Sequence, residues 1–474
     1  MVWNQADSSA INAMFEQIPF DLLDHMHKTD PEWTDMNAFN AGSEEGMIQQ
    51  DGKYVRLDFQ QAGNHGLYAR GGTAPWLPGF DPDGTVDDDI ATPDIQQGKL
   101  YFKSHYMTVA WDATTKAAVK SQKGGYKNLV ELILKDAKDN LPERIALMMS
   151  GTRYGSLAVI QAVSGTTVTV RYAGYNHPFA GSHRLRKGLV LDAVSGSSNA
   201  YTGALEAGRG IKITSVPLDT GTSGTGPQIT ISQADPSGWG AGDILIPYNS
   251  RPQTAALTTA AHHGDAPKES AGCAQMTGLL DVIDDGGFQP FYATLSRTSY
   301  PSLNSFVLDN SGTARALTLD LVNEGSHRCN QISGGGNHMI YTRPDCVREM
   351  MKGLTKLAST DMSHDNPIRW SPSNTQQVGF SKVTIVPLGA NQAMAQLLSR
   401  NAPAHTALLI DKSSMVMLYD GPPKMQNEDG SDFRYERGKD QLTGFWRFDA
   451  AGWFSKAPWK NVRIEDVAGS HMEA

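Results

Sequence analysis

The sequence predicts an α+β fold, and three observations carry that expectation. One long amphipathic helix spans Gly125 to Met149, extended segments precede it, and short strands separated by turn clusters dominate the chain beyond it. Apolar residues recur at Tyr126, Leu129, Val130, Ile133, Leu134, Ala137, Leu141, Ile145, Met148 and Met149, the three-four spacing of one helix face. Lys127, Glu131, Lys135, Lys138 and Glu143 take the other side, with Glu131 and Lys135 in the favourable i,i+4 order. Such a helix reaches roughly 36 Å. Pro142 lies inside it without an N–H to donate, so a kink is expected there.

A chain of 474 residues exceeds one ordinary core, which predicts two to four compact units. The formal net charge of −9 argues against nucleic-acid binding as the main activity, because phosphate neutralisation needs clustered Lys and Arg. Three cysteines, Cys273, Cys329 and Cys346, show no Cys-x-x-Cys pairing and fit free thiols in a reducing compartment. No signal-peptide pattern and no 18-residue apolar run is visible, so a soluble protein made in the cytosol is expected. Gly469-Ser-His-Met472 resembles a cloning scar.

Residues 1–50 open with a short amphipathic helix carrying Ile11, Met14, Phe15 and Ile18, stopped by Pro19. Trp33, Met36 and Phe39 come next, without a period. Two readings stay open for this segment: an arm on a neighbour, or a strap across its own domain. Tyr54 to Gln60 alternates as a half-buried strand does, and so does Leu100 to Trp111. The long excursion between them is rich in Gly, Pro, Asp and Gln and contains Trp76, Leu77 and Phe80. Its flanking strands predict a hairpin arm that leaves the body, since structureless excursions of that length are rare inside domains.

Beyond the long helix, Thr166–Val170, Ile211–Ile213, Gln228–Ile231 and Asp243–Ile246 read as strands of a separate small β unit. Mixed character returns with helices expected at 275–283, 314–328 and from Pro344 to Leu354. Strands are expected at 338–342, 381–387, 406–410 and 461–466.

Candidate chemistry is sparse. His262-His263 with Asp265, and His25 with His27, supply too few local ligands for zinc. Asp81-x-Asp83-Gly84 with Asp87 departs from a calcium loop, for its glycine falls early and no terminal Glu is present. The glycine clusters at 221–226 and 334–336 do not sit at a strand-to-helix junction. No nucleophile elbow, zincin or Walker pattern is present. No catalytic, cofactor or metal residue is assigned, and the three cysteines are expected to be buried structural thiols.

The order of elements resembles the major capsid proteins of tailed double-stranded-DNA bacteriophages, with the Hong Kong 97-like capsid fold. The likeness rests on the hairpin excursion at 51–115, the helix Gly125–Met149, and its continuation Ser150-Gly-Thr-Arg-Tyr-Gly-Ser-Leu-Ala-Val-Ile. Thr277-Gly-Leu-Leu-Asp-Val-Ile, Leu295-Ser-Arg-Thr-Ser-Tyr-Pro, Ala316-Leu-Thr-Leu-Asp and His338-Met-Ile-Tyr-Thr-Arg-Pro come after it in order, and then Asp411-Lys-Ser-Ser and the late strand at Arg463. The resemblance implies an N-terminal arm (1–50), an extended loop (51–115), and a spine helix opening the peripheral domain (116–163). It further implies a peripheral continuation (248–300), an axial domain (301–400) and a C-terminal return (401–474). The β-rich block at 164–247 is an insertion that the minimal fold lacks.

The resemblance also implies a structural, non-enzymatic virion protein. It would self-assemble into hexamers and pentamers of an icosahedral capsid around phage DNA, within the host cytoplasm. Implied partners are further copies of the chain, with scaffolding, portal and cement proteins, and no cofactor or membrane. Trp76, Leu77 and Phe80, then Trp33 and Phe39, are the inter-subunit anchors expected from apolar side chains with no core of their own. A local hydrophobic clip is the plainer reading of Trp76. Pro142 is the hinge candidate between ring environments. Two rivals remain: a nanocompartment shell of the same fold, told apart by DNA in the particle, and a β-rich carbohydrate-active enzyme, which needs two carboxylates facing across a cleft.

Overall fold

The computed structural model describes residues 38–40, 48–50, 54–62, 94–112, 144–153, 155–171, 181–195, 205–216, 226–248, 275–287, 289, 291–311, 313–333, 338–347, 395–398, 401–420, 424–425, 434–435 and 441–468. Helix and strand are mixed within them, and the class is α+β.

Strands β1 (Ala38–Asn40) and β2 (Ile48–Gln50) precede β3 (Tyr54–Ala62), β4 (Asp94–Tyr101) and β5 (Lys103–Asp112). The alternating run at 54–60 is β3, and the second alternating run divides between β4 and β5 at Phe102. β3 and β4 pair antiparallel from Tyr54↔Tyr101 to Ala62↔Asp94, so a hairpin stem forms. Its second strand is Asp94–Tyr101, most of which the sequence places in the excursion, while most of the run expected there is β5 and pairs with β21. Val55, Leu57 and Leu100 are buried in the main core, which anchors one end of that stem. Burying each such aliphatic side chain stabilises by about 1.5–3 kcal/mol.

Only the end of the long predicted helix falls among the described residues, as α1 at 144–149. Its Ile145, Ala146 and Met149 are buried, and it stops at Ser150-Gly151 as the sequence predicts. Pro142 and the preceding turns lie outside the described residues.

Six antiparallel strands then close a barrel: β6 (Ala158–Ser164), β7 (Thr167–Val170), β8 (Val190–Val194), β9 (Ile211–Ser215), β10 (Gln228–Ile231) and β11 (Ile244–Pro247). Inward side chains, among them Ile160, Val168, Leu191, Ile213, Ile229 and Leu245, fill it with a core of its own. The barrel begins at Ala158, ahead of the residue 164 at which the sequence places the β block. The apolar run before Ser164 supplies its first strand.

Helix α2 is Leu279–Val282, shorter than the expected 275–283. The reason is Thr277, whose N–H and C=O bridge to Ala451 and Trp453 and hold the backbone extended. After it come β12 (Phe291–Tyr292), β13 (Leu295–Ser296) and β14 (Phe306–Leu308). Helix α3 covers Leu319–Ser333 rather than 314–328. Arg315 is drawn into a bridge with Val467, and Thr318 Oγ1 accepts the Leu321 N–H, so the helix starts late. It continues because Val322, Ser326 and Cys329 keep one face buried.

β15 (His338–Thr342) matches its expected span, and helix begins at Pro344. The chain ends through β16 (Ala395–Leu398), β17 (Ala407–Asp411), β18 (Met415–Tyr419), β19 (Lys424–Met425), β20 (Arg434–Tyr435), β21 (Gln441–Ser455) and β22 (Val462–Ile464). The strand expected at 381–387 lies outside the described residues.

Two larger sheets organise the body. In one, β21 pairs with β5 over Gln441–Ala450 and with β18 over Ala450–Ser455, and β1 adds in parallel to β18. A methyl group at Gly452 would meet the Thr277 backbone, and its φ of +101° excludes most side chains. The other sheet runs β14-β22-β17-β15-β16, with α3 packed on it over Leu308, Leu409 and Val462. The residues after 401 therefore contribute strands to both sheets.

Candidate functional site

The described residues gather their densest buried charge where barrel, α2 and the five-stranded sheet meet. The stem of the barrel, Ser150 to Leu157, leads from α1 into β6. Its Arg153 N–H donates to Asp281 Oδ2 at 2.6 Å, and the Gly278 N–H donates to the same oxygen at 3.0 Å. Burial, the largest influence, pushes the Asp281 carboxyl up to about 6, against the pull of Arg153.

One turn on, Asp284 Oδ2 accepts the Gly286 and Gln289 N–H groups at 3.0 and 2.6 Å. Its other oxygen faces the Arg463 guanidinium of β22 at 2.6 Å. Arg463 also donates to the Ile283 carbonyl and pairs with Glu465. Arg297 is buried between these groups and donates to the carbonyls of Asp281, Val282, Asp284 and Leu303. It thus covers the end of α2, where carbonyls lack helical partners. Burial lowers its pKa, and Asp284 opposes that shift. Its guanidinium lies over the Tyr292 ring, 5.0 Å from the centroid. Tyr292 in turn exchanges hydrogen bonds with Ser455 of β21.

Arg184 extends this junction on the barrel side, donating to the Asn401 carbonyl at 2.9 Å. These polar groups engage main-chain atoms and one another across elements far apart in sequence. Chemically, the arrangement fixes relative positions. A buried charge network of this kind holds geometry, because removing any one member leaves its partner desolvated.

A second polar group lies on the β5–β21 pair. His105 sits opposite Phe448, while Arg447 holds Asp449 at 2.8 Å and its guanidinium lies 6.0 Å from the exposed Tyr106 ring.

Of the residues predicted from sequence, Trp33, Trp76, Leu77, Phe80 and Pro142 lie outside the described residues. Phe39 is in β1, where its backbone stands in register with Leu418. His25, His27, Asp81, Asp83, Gly84, Asp87, His262, His263 and Asp265 also lie outside. Among the described residues no group of three His, Cys, Asp or Glu side chains is placed to hold a metal ion. Cys329 and Cys346 are buried free thiols, as the sequence predicts, and Cys273 lies outside. No helix among the described residues is long and apolar enough to cross a membrane.

Sequence reasoning missed the junction. A usable signal existed: Asp281 interrupts the apolar run Leu279 to Ile283 and Asp284 ends it, and such carboxylates need buried partners.

No family model matches the sequence, and no curated protein matches it. Among solved structures, the chain is similar to the cyanophage A-1(L) capsid, at 11% identity and TM-score 0.41, over 89% of this chain and 90% of that one. It is similar to the capsid of the myovirid phage XM1, at 8% identity and TM-score 0.35, over 92% and 91%. It is also similar to the satellite phage P4 procapsid, at 9% identity and TM-score 0.33, over 99% and 100%.

Proposed function

We propose that this chain is a structural virion protein that self-assembles into the pentamers and hexamers of an icosahedral capsid enclosing phage double-stranded DNA. The observation that carries this reading is the hairpin of β3 and β4. Its base is held by Val55, Leu57 and Leu100 in the main core, and its paired stem runs out to Ala62↔Asp94. Nine extended residues carry it about 30 Å. Residues 63–93, with Trp76, Leu77 and Phe80, continue from its far end.

Beside the hairpin, the order of elements supports the same reading. On this reading the β5–β21 sheet belongs to the peripheral domain and the barrel is the insertion. The five-stranded sheet with α3 is built on the axial domain (301–400), with β17 and β22 added from the C-terminal return. Apolar side chains on such an arm gain burial against a neighbouring copy, so assembly completes the fold. The test is the assembly state of the purified chain. Size-exclusion chromatography and electron microscopy should show capsomers or closed shells. A stable monomer without self-association would overturn the reading.

A further inference from the structure

The barrel stem and α2 meet backbone to backbone. The Leu280 N–H donates to the Gly151 carbonyl at 3.2 Å, and any side chain at Gly278 would run into that carbonyl. Asp281 straddles the contact, with Oδ2 bound to the N–H of Arg153 on the stem and of Gly278 on the body. Its Oδ1 is enclosed, and no donor reaches it among the described residues. A carboxylate in that position lacks the hydrogen bonds that water would give it, whereas a neutral carboxyl is far less disfavoured by burial.

The charged groups around Asp281 come from four parts of the chain. Arg153 approaches from the stem and favours the ionised form, and Asp284 on its own segment opposes it. Arg297 binds the Asp281 carbonyl at 2.7 Å, and Arg463 of β22 stands behind Asp284. Arg297 and Arg463 are already engaged by carbonyls and by Asp284. Arg153 is the cation that the stem itself brings to this point.

We propose that this joint is a proton-operated hinge, in which a protonated Asp281 keeps the barrel stem seated on α2 and an ionised Asp281 favours a state with the stem lifted and the carboxylate hydrated. The direction comes from linkage. Seated, the carboxyl titrates at about 6, and hydrated it returns to its ordinary 3.8. Protons therefore bind the seated state better. Seating is strongest below the ordinary value and weakens as pH rises, levelling off above about 6. Between pH 5 and pH 7.5 the opening equilibrium rises about tenfold. This holds whether or not the chain assembles into shells.

Hydrogen–deuterium exchange on the full chain tests it, read on peptides covering 150–157 and 275–287 and corrected for intrinsic exchange chemistry. The wild type should open about tenfold more at pH 7.5 than at pH 5. Asp281→Asn, which cannot ionise, should stay near the acid level at both. A pH dependence that survives in Asp281→Asn, or none in the wild type, overturns the hinge. Should that variant not fold, a wild-type series from pH 4.5 to 7.5 decides alone. Opening that climbs and levels off above about 6 supports the hinge, and a flat series overturns it.

Discussion

Arg463 and Asp284 face each other at 2.6 Å with both side chains enclosed in the protein. Asp284 is bound on its other side by the Gly286 and Gln289 N–H groups, and Arg463 reaches the Ile283 carbonyl. The pair ties β22 to the segment after α2. Neither charge can be rehydrated in place. Arg463→Met should therefore cost about 3–5 kcal/mol, because it leaves a buried carboxylate without its cation. Adding Asp284→Asn to that variant should recover part of the loss, since the stranded charge is gone. Chemical denaturation of the purified variants measures both, and a double variant no better than the single would count against the pair as the cause.

That pair also shows where sequence reasoning stops. Arg153, Asp281 and Arg463 come together from separate stretches, and no periodicity links residues that far apart. Local pattern does better where one face of an element is buried. Tyr54–Gln60 alternates and is β3, and His338–Thr342 is β15 with its ends as expected. Four of the six barrel strands, β7, β9, β10 and β11, are legible for the same reason, through Val, Ile and Thr in short bursts, whereas β6 and β8 (Val190–Val194) are not among the expected strands. Strand β21 is not: it carries Phe445-Trp446, Ala450-Ala451 and Trp453-Phe454 as adjacent apolar pairs, with Gly452 at a shift in register. The bulge between Ala450 and Gly452 breaks the alternation across the second half of the strand. The start of α3 is displaced by a tertiary contact, the Arg315–Val467 bridge, which outweighs the helix propensity of Ala314 to Leu317.

Burial should make two cysteines unreactive. The Cys329 and Cys346 thiols are both pushed up to about 12, chiefly by desolvation, with Asp411 adding to the first and Asp345 to the second. Thiolate, the reactive form, is then scarce at pH 8. Alkylation of the folded chain at that pH, read by peptide mass spectrometry, should leave both unmodified. Unfolding in denaturant should expose them to rapid labelling. Modification of either in the native protein at the unfolded rate would show that its part of the α3 core opens freely.

On the shell reading, Trp76 and Phe80 anchor one subunit against the next. Trp76→Ala combined with Phe80→Ala should prevent shells from forming while leaving the isolated chain folded. Circular dichroism and denaturation of the dissociated protein should match the wild type, and electron microscopy should show few or no particles. Loss of the fold itself would assign both side chains to the core of their own subunit, as the plainer reading of Trp76 has it.

Acid should act on the β5–β21 pair through a histidine. His105 lies on β5 opposite Phe448, and although the residue is partly exposed, its Nε2 is enclosed with no partner among the described residues. Desolvation lowers its pKa to about 4, with Asp449 working against that shift and Lys103 adding to it. For a base whose folded value is depressed, the unfolded chain binds the proton more readily. The neutral ring thus contributes stability above its ordinary 6.5, and that contribution is lost as pH falls toward 4. His105→Gln keeps a neutral polar group at the site and removes the titration. Its stability should fall less steeply than the wild type between pH 6.5 and 4, while the two curves run parallel above pH 7. Asp281 shifts in the opposite sense, but it is present in both proteins and drops out of the difference. Denaturation midpoints across that range provide the measurement, and curves that stay parallel throughout would show that the ring protonates without disturbing the β5–β21 pair.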